Sequence, residues 1–221
     1  MTGGVTLVLH NYWRSSASYR VRIGLALKGL AYEYVAVNLL DSTQLGEAYR
    51  AKNPMAQVPT LEITEADGTV RSIAQSLPIL EYLDERFPEP PILPGDPYLR
   101  AKARGIAEAI NSGIQPFHNL STTKRLKALG VDDAAWTRDL VGTGLAGVTR
   151  LVGATAGAFC VGDSPTIADC CLIPQLASAR RFGVDVSPYS LLLEIEQRCL
   201  ALPAFAAAAP DRQPDAVPAK A

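Results

Sequence analysis

Apolar positions follow two different rhythms along this chain. In its first part, short blocks with strand character are interleaved with stretches of helical spacing; beyond a proline-rich break only the helical rhythm persists. Thr6-Leu7-Val8-Leu9-His10, apolar and partly β-branched, predicts a buried strand. Ser15 and Ser16 are start signals for a helix over Ser18 to Lys28, and Gly29 is its stop signal. Tyr32 to Val37 alternates at period two, which predicts a second strand. Leu45 to Lys52 fits a short helix ending at Asn53-Pro54. Thr60 to Ile63 and Thr69 to Ile73, joined through Asp67-Gly68, predict a hairpin. Ser76 then precedes Leu77 to Phe87, where Leu77, Ile79, Leu80 and Leu83 fall at helical spacing. This order predicts a mixed sheet with helices on its faces.

Pro88, Pro90, Pro91 and Pro94 with Gly95 read as a linker. Asp96-Pro97, an N-cap followed by proline at the first helical position, opens a long helix toward Asn119, bent near its end by Gly105, Gly113 and Pro116. A second long helix is expected from Asp133 to Gly153, its glycines and alanines suiting close helix–helix approach. Thr166 and Asp169 have capping-box spacing ahead of a third helix, Ile167 to Arg181, closed by Gly183. Ser187-Pro188 starts a fourth helix to about Cys199. Pro203 opens a short tail helix, after which a loose end is expected. The expected organisation is an α/β domain at 1–87, a linker at 88–95 and an all-helical domain at 96–221.

Composition narrows the function classes. With 48% hydrophobic and 19% charged residues and a formal net charge of -1, the chain is an ordinary globular one. It has no basic block to suggest nucleic acid or an anionic membrane surface as a partner. No apolar run is long enough to span a bilayer, and the N-terminus lacks the order of a signal peptide. Cys160, Cys170, Cys171 and Cys199 have neither the spacing of a metal site nor a Cys-x-x-Cys, so they read as buried hydrophobes of a reduced, cytoplasmic protein with no metal centre.

The chemistry concentrates where the first strand enters the first helix. A helix N-terminus presents unpaired N–H groups and the positive end of the helix dipole, a combination that suits an anion. Two hydroxyls, Ser15 and Ser16, and the guanidinium of Arg14 stand at that point. Serine is also a preferred N-cap whatever a protein does, so the junction alone leaves capping and anion binding both open.

Three separated motifs point the same way: Trp13-Arg14-Ser15-Ser16, the segment Asn53-Pro54-Met55-Ala56-Gln57-Val58-Pro59-Thr60-Leu61, and Ile73-Ala74-Gln75-Ser76 before a helix. Together they resemble the thioredoxin-like domain of cytosolic glutathione transferases, and in detail the zeta class, the maleylacetoacetate isomerases. Arg20-Val21-Arg22-Ile23, Leu27-Lys28-Gly29, Gly113-Ile114-Gln115-Pro116, Asn119-Leu120-Ser121, Ala179 to Asp185 and Asp211-Arg212-Gln213-Pro214-Asp215 extend the likeness over nearly the whole chain. The resemblance implies a thioredoxin-like domain with a four-stranded mixed sheet, followed by an all-α domain.

It also implies roles for single residues. Val58-Pro59 corresponds to the family's cis-proline turn, which offers the Val58 backbone to the cysteinyl unit of glutathione. Gln75 and Ser76 correspond to the site of the γ-glutamyl carboxylate, and Gln44 to the position reaching the glycyl end. Gln115, Asn119 and Ser121 fall where the first long helix ends over the site. Ser15 becomes the donor to the glutathione sulfur, with Ser16 an alternative; lowering a thiol pKa by ~2 units requires about 2.7 kcal/mol of preferential anion stabilisation. One departure is Ala17, where the family usually has cysteine. A mechanism that needs that protein thiol is put in doubt; one that needs only the glutathione thiolate is not.

The implied activity is glutathione-dependent cis–trans isomerisation of maleylacetoacetate to fumarylacetoacetate, by thiolate addition, bond rotation and elimination. Glutathione is regenerated and so acts as a cofactor. The substrate is a dicarboxylate, for which Arg14 and Arg181 are the candidate cations. Alternatives are maleylpyruvate isomerisation, against which Leu120-Ser121 stands in place of extra arginine, and conjugation or dehalogenation of small halo-acids. A non-catalytic interaction module is disfavoured because the serine and the glutamyl-binding pair are kept. The family's architecture further implies a homodimer.

Overall fold

The computed structural model describes residues 4–217. The chain divides into two compact units, one made of Met1–Pro91 with Pro203–Ala221, the other of Ile92–Leu202.

The first unit is built on a four-stranded mixed sheet in the order β2-β1-β3-β4. Its strands are β1 (Thr6–Asn11), β2 (Glu33–Ala36), β3 (Thr60–Thr64) and β4 (Val70–Ala74), with helices α1 (Ser16–Leu27), α2 (Glu47–Arg50) and α3 (Ser76–Arg86) between and after them. β1 pairs parallel with β2 and antiparallel with β3, placing His10 opposite Val35 and Thr60; β3 and β4 form the expected antiparallel hairpin. Alternation in β1 sends Leu7 and Leu9 to one face, where they join Leu61 and Ile63 of β3, Val21 and Leu25 of α1, and Ile79 and Leu83 of α3. A smaller cluster gathers Tyr12, Val37, Tyr49 and Val58.

Helix α1 is buried along Ser18 to Leu25, polar residues included. A surface helix needs only one apolar stripe, so burial on all sides demands a second partner. That partner is α9 (Pro203–Ala208): Tyr19 Oη donates to the Phe205 carbonyl at 3.5 Å and Arg22 Nε to the Ala208 carbonyl at 3.0 Å. The tail helix, expected in the helical domain, therefore belongs to the first unit. The expectation of a loose end is also corrected as far as Asp215. Gln213 Nε2 donates to the Ala207 and Ala209 carbonyls, and Asp215 accepts two hydrogen bonds from the body of the unit. Residues 218–221 lie outside the described residues.

The second unit contains α4 (Pro97–Asn111), α5 (Leu120–Ala128), α6 (Asp133–Gly153), α7 (Ile167–Arg181) and α8 (Ser190–Leu200). Asp96 caps α4 by accepting from Leu99 N–H at 2.8 Å. The long helix expected to reach Asn119 stops at Asn111 instead. A Cβ on Gly113 would lie 2.5 Å from the Ala109 carbonyl oxygen, and Pro116 has no N–H to continue the ladder, so a 3-10 turn over Gln115–His118 intervenes before α5. At Gly144 the close neighbour is not another helix but the turn after α4, where a Cβ would fall 2.5 Å from Ile114 Cγ1. The Thr166–Asp169 capping box forms in full at the start of α7, which is buried almost throughout and carries Cys170 and Cys171. Among the described residues no helix is long and apolar enough to cross a membrane.

Candidate active site

The β1–α1 junction is held by its own backbone. Ser15 N–H donates to the Tyr12 carbonyl at 3.0 Å, and the Ser15 carbonyl accepts from Tyr19 N–H at 2.9 Å. Ser15 Oγ caps α1 by accepting from Ser18 N–H at 3.2 Å. Capping uses the oxygen's lone pair and leaves the hydroxyl hydrogen able to donate, so the two readings open in the sequence are compatible. Ser16 is the first residue of the helix and, like Ser15 and Ala17, is half-buried. Arg14 is exposed, its guanidinium carbon 5.5 Å from the centre of the Trp13 ring.

A second helix N-terminus stands across the same unit. Gln75 occupies the N-cap position of α3 with φ 73° and ψ 130°, and no side chain caps the helix. A non-glycine residue in this region is strained by ~1–3 kcal/mol, and such strain persists where surrounding contacts impose it. Here Gln75 Nε2 donates to Gln57 Oε1 at 3.1 Å, and the buried Ser76 hydroxyl accepts from Arg20 Nη1 at 3.0 Å. Arg20, 1% exposed, rises from α1, so it ties the two helix starts together. Val58 precedes a cis peptide bond to Pro59, as the resemblance implied, and the sheet ladder starts only at Thr60. Gln44 lies in a 3-10 turn over Thr43–Leu45 and its Oε1 is buried without a hydrogen-bond partner among the described residues. Two N-termini, a backbone stretch ahead of the β3 ladder and an orphaned amide oxygen suit an extended, peptide-like anion.

The remaining expected residues belong to the second unit. Asn119 caps α5: its Oδ1 accepts from Ser121 N–H at 2.9 Å, from Ser121 Oγ at 2.7 Å and from Thr122 N–H at 3.2 Å. Asn119 and Ser121 thus have a structural task of their own. Gln115 opens the preceding 3-10 turn and is half-buried. Arg181 is exposed beside the Phe182 ring at 4.6 Å, whereas its neighbour Arg180 is committed to Glu196, with Nη1 at 2.6 Å from Oε1.

Among the described residues the four cysteines form no disulfide and are buried, and burial pushes the Cys160, Cys170 and Cys199 thiols up. None is suited to act as a nucleophile. Sequence reasoning missed the residues that brace the site: Arg20, Arg22, Gln57, Tyr34 and Asp215. Arginine at two positions inside an otherwise buried helix was the available signal for the first pair.

Residues 9–91 match the glutathione S-transferase N-terminal domain. The chain is 47% identical over 211 residues to the maleylacetoacetate isomerase of Rattus norvegicus, spanning 94% of each protein. It is 40% identical over 213 residues to a maleylpyruvate isomerase from a Ralstonia species, covering 94% of this chain and 98% of that one. Among solved structures it is similar to a maleylacetoacetate isomerase from Anaeromyxobacter dehalogenans with dicarboxyethyl glutathione and citrate bound in the active site. The TM-score is 0.91 at 50% identity, over 98% of this chain and 100% of the other. The chain belongs to the zeta-class glutathione transferase family of the maleylacetoacetate isomerases.

Proposed function

We propose that this protein is a glutathione-dependent isomerase converting maleylacetoacetate to fumarylacetoacetate, a step of tyrosine and phenylalanine breakdown, and that it works as a cytoplasmic homodimer. The observation that carries the reading is the β1–α1 junction, with Ser15 fixed as a cap yet still able to donate. It occurs in a chain that matches a maleylacetoacetate isomerase over 94% of its length.

The residues present fit glutathione. The orphaned Gln44 oxygen can accept an N–H from the glycyl end, Val58 offers its backbone ahead of the sheet ladder, and the uncapped α3 N-terminus at Gln75-Ser76 suits the γ-glutamyl carboxylate. When bound, glutathione supplies a nucleophilic thiolate. Ser15 donates its hydroxyl hydrogen toward that sulfur, the α1 dipole favours the anion, and Ser16 is close enough in the chain to substitute. Arg20 fixes the Ser76 hydroxyl so that its hydrogen points away from the guanidinium. Arg14 and Arg181 are assigned to the substrate carboxylates, and Gln115, Asn119 and Ser121 to the cofactor. The Ala17 side chain has neither an acidic proton nor a lone pair to offer, so the chemistry proposed runs without a protein thiol.

The bound dicarboxyethyl glutathione of the Anaeromyxobacter relative supports this chemistry, since that compound is what a glutathione sulfur joined to a four-carbon diacid would be. The Ralstonia relative favours a second reading, maleylpyruvate as substrate. Turnover of each diacid with and without glutathione separates them. A higher kcat/KM for maleylacetoacetate is expected; a preference for maleylpyruvate would reverse the assignment, and turnover of neither would remove it. Sedimentation at micromolar protein is expected to give twice the 23.6 kDa chain mass.

A further inference from the structure

The C-terminal segment Gln213-Pro214-Asp215 ends on the loop that carries Ser15. Asp215 Oδ2 accepts from the Trp13 backbone N–H at 3.2 Å, while its Oδ1 accepts from Tyr34 Oη on β2. The Trp13 carbonyl is held from the other side by Arg22 Nη2 at 3.0 Å. Arg22 is 1% exposed; its Nη1 also reaches Asn11 Oδ1 at 3.0 Å, and its Nε reaches the Ala208 carbonyl at 3.0 Å. Both backbone polar groups of Trp13 are thereby fixed, one by the tail and one by a guanidinium that is itself bonded to the tail helix. Gln213 braces the approach, donating to the Ala207 and Ala209 carbonyls at 3.0 and 2.8 Å. Trp13 is two residues before Ser15, and its ring lies under Arg14.

We propose that Asp215 is a positioning residue for this junction: it sets the Trp13 peptide, and through it the aim of the Ser15 hydroxyl and the Arg14 guanidinium. The proposal rests on the assignment of Ser15 as the sulfur's donor. A carboxylate suits the task because it has two acceptor oxygens and no hydrogen, so it takes the Trp13 amide and the Tyr34 hydroxyl together. Asparagine keeps an oxygen for the Trp13 amide, and the tyrosine hydroxyl can turn to accept from its NH2 group.

The test is a double-mutant cycle of Asp215→Ala with Ser15→Ala. It is read by kcat on maleylacetoacetate, by calorimetric Kd for glutathione, and by amide exchange at Trp13 in the protein without glutathione. Asp215→Ala should speed Trp13 exchange at least about tenfold. It should lower kcat about tenfold in the parent and less than about twofold in Ser15→Ala, because a positioning group has no effect once the group it positions is gone. The glutathione Kd should stay within about threefold, since the γ-glutamyl and backbone contacts lie elsewhere. Asp215→Asn should recover most of the loss. Tyr34→Phe removes only the hydroxyl that holds Oδ1; it should act in the same direction by about threefold and keeps the test open if Asp215→Ala does not fold. Equal losses in both backgrounds, unchanged Trp13 exchange, or a Kd that rises in proportion as kcat falls would overturn the proposal. A neutral Ser15→Ala would instead remove the Ser15 assignment, and this proposal with it.

Discussion

Ser15 does two things in this account, and they can be separated by substitution. Its oxygen caps α1 through the Ser18 N–H, and its hydrogen is free to stabilise a sulfur anion. Ser15→Ala removes both. Loss of the cap should cost about 1 kcal/mol, which in a chain of this size lowers Tm by roughly 2–4 °C. Loss of a single preorganised donor should cost about 2.7–4 kcal/mol in the transition state, a fall in kcat of about two to three orders of magnitude. Ser15→Gly removes the hydroxyl but, because glycine is tolerated at N-caps, should lower stability by only a few tenths of a kcal/mol. Its kcat should fall as far as that of Ser15→Ala. Ala17→Cys should change kcat by less than about tenfold, since the chemistry does not call on that position. The assays are steady-state kinetics, a thermal melt of each variant, and the absorbance of the bound thiolate as pH is raised. If both Ser15 variants kept kcat within about threefold of the parent, the donor would be another group, with Ser16 next in place.

Glutathione at ~100 times Kd should add about 2.7 kcal/mol to stability, a Tm rise of roughly 5–10 °C. An analogue without the γ-glutamyl group should do much less, and no shift with either would count against the Val58 and Gln75-Ser76 assignments. His10 is 8% exposed, its Nε2 3.8 Å from Glu62, whose carboxylate Lys52 already holds. Burial first, then Lys52, lowers its pKa from 6.5. The unfolded chain therefore takes up the proton first, and the stability His10 contributes above pH 6.5 is lost as pH falls through the lower folded value. His10→Gln should flatten urea-measured stability over that window, and an unchanged slope would dispose of the idea. Asp169, fully buried, accepts from Cys160 N–H at 2.9 Å, Thr166 N–H at 2.8 Å and Thr166 Oγ1 at 3.0 Å. Its replacement by alanine leaves buried donors unpaired and should destabilise by about 3 kcal/mol in denaturant titrations, where a loss below about 1 kcal/mol would contradict it.

Local signals served the sequence reading well where one short stretch contains the whole cause. The Asp67-Gly68 turn, the Thr166–Asp169 box and the spans of α6 and α7 are such cases. The first helix start was legible for the same reason, because a serine ahead of an apolar run needs no distant partner. The end of α4 is not legible because a glycine tolerated within a helix and one required by the path that leaves it look alike until the carbonyl 2.5 Å from its missing Cβ is known. The tail was misassigned because Phe205 and Ala208 carry an apolar face but no sign of whose surface it meets. Arg22 and Asp215, far apart in the chain, touch the same residue, Trp13, and nothing in local spacing foretells that. Among the candidate site residues, Ser15 is legible at the strand–helix junction and Val58, Gln75 and Ser76 through resemblance alone; what the fold adds is the Arg20 link between the two helix starts.

Isomerisation and conjugation differ most directly in the balance of glutathione during turnover. Maleylacetoacetate should be supplied in about a hundredfold excess over glutathione, with free thiol titrated at the start and after the cis substrate is exhausted. An isomerase that regenerates its cofactor predicts complete conversion to the trans product with the thiol titre unchanged. Conversion that halts when about one equivalent of thiol has been consumed would mean a transferase that makes a stable conjugate, and the proposed function would be wrong.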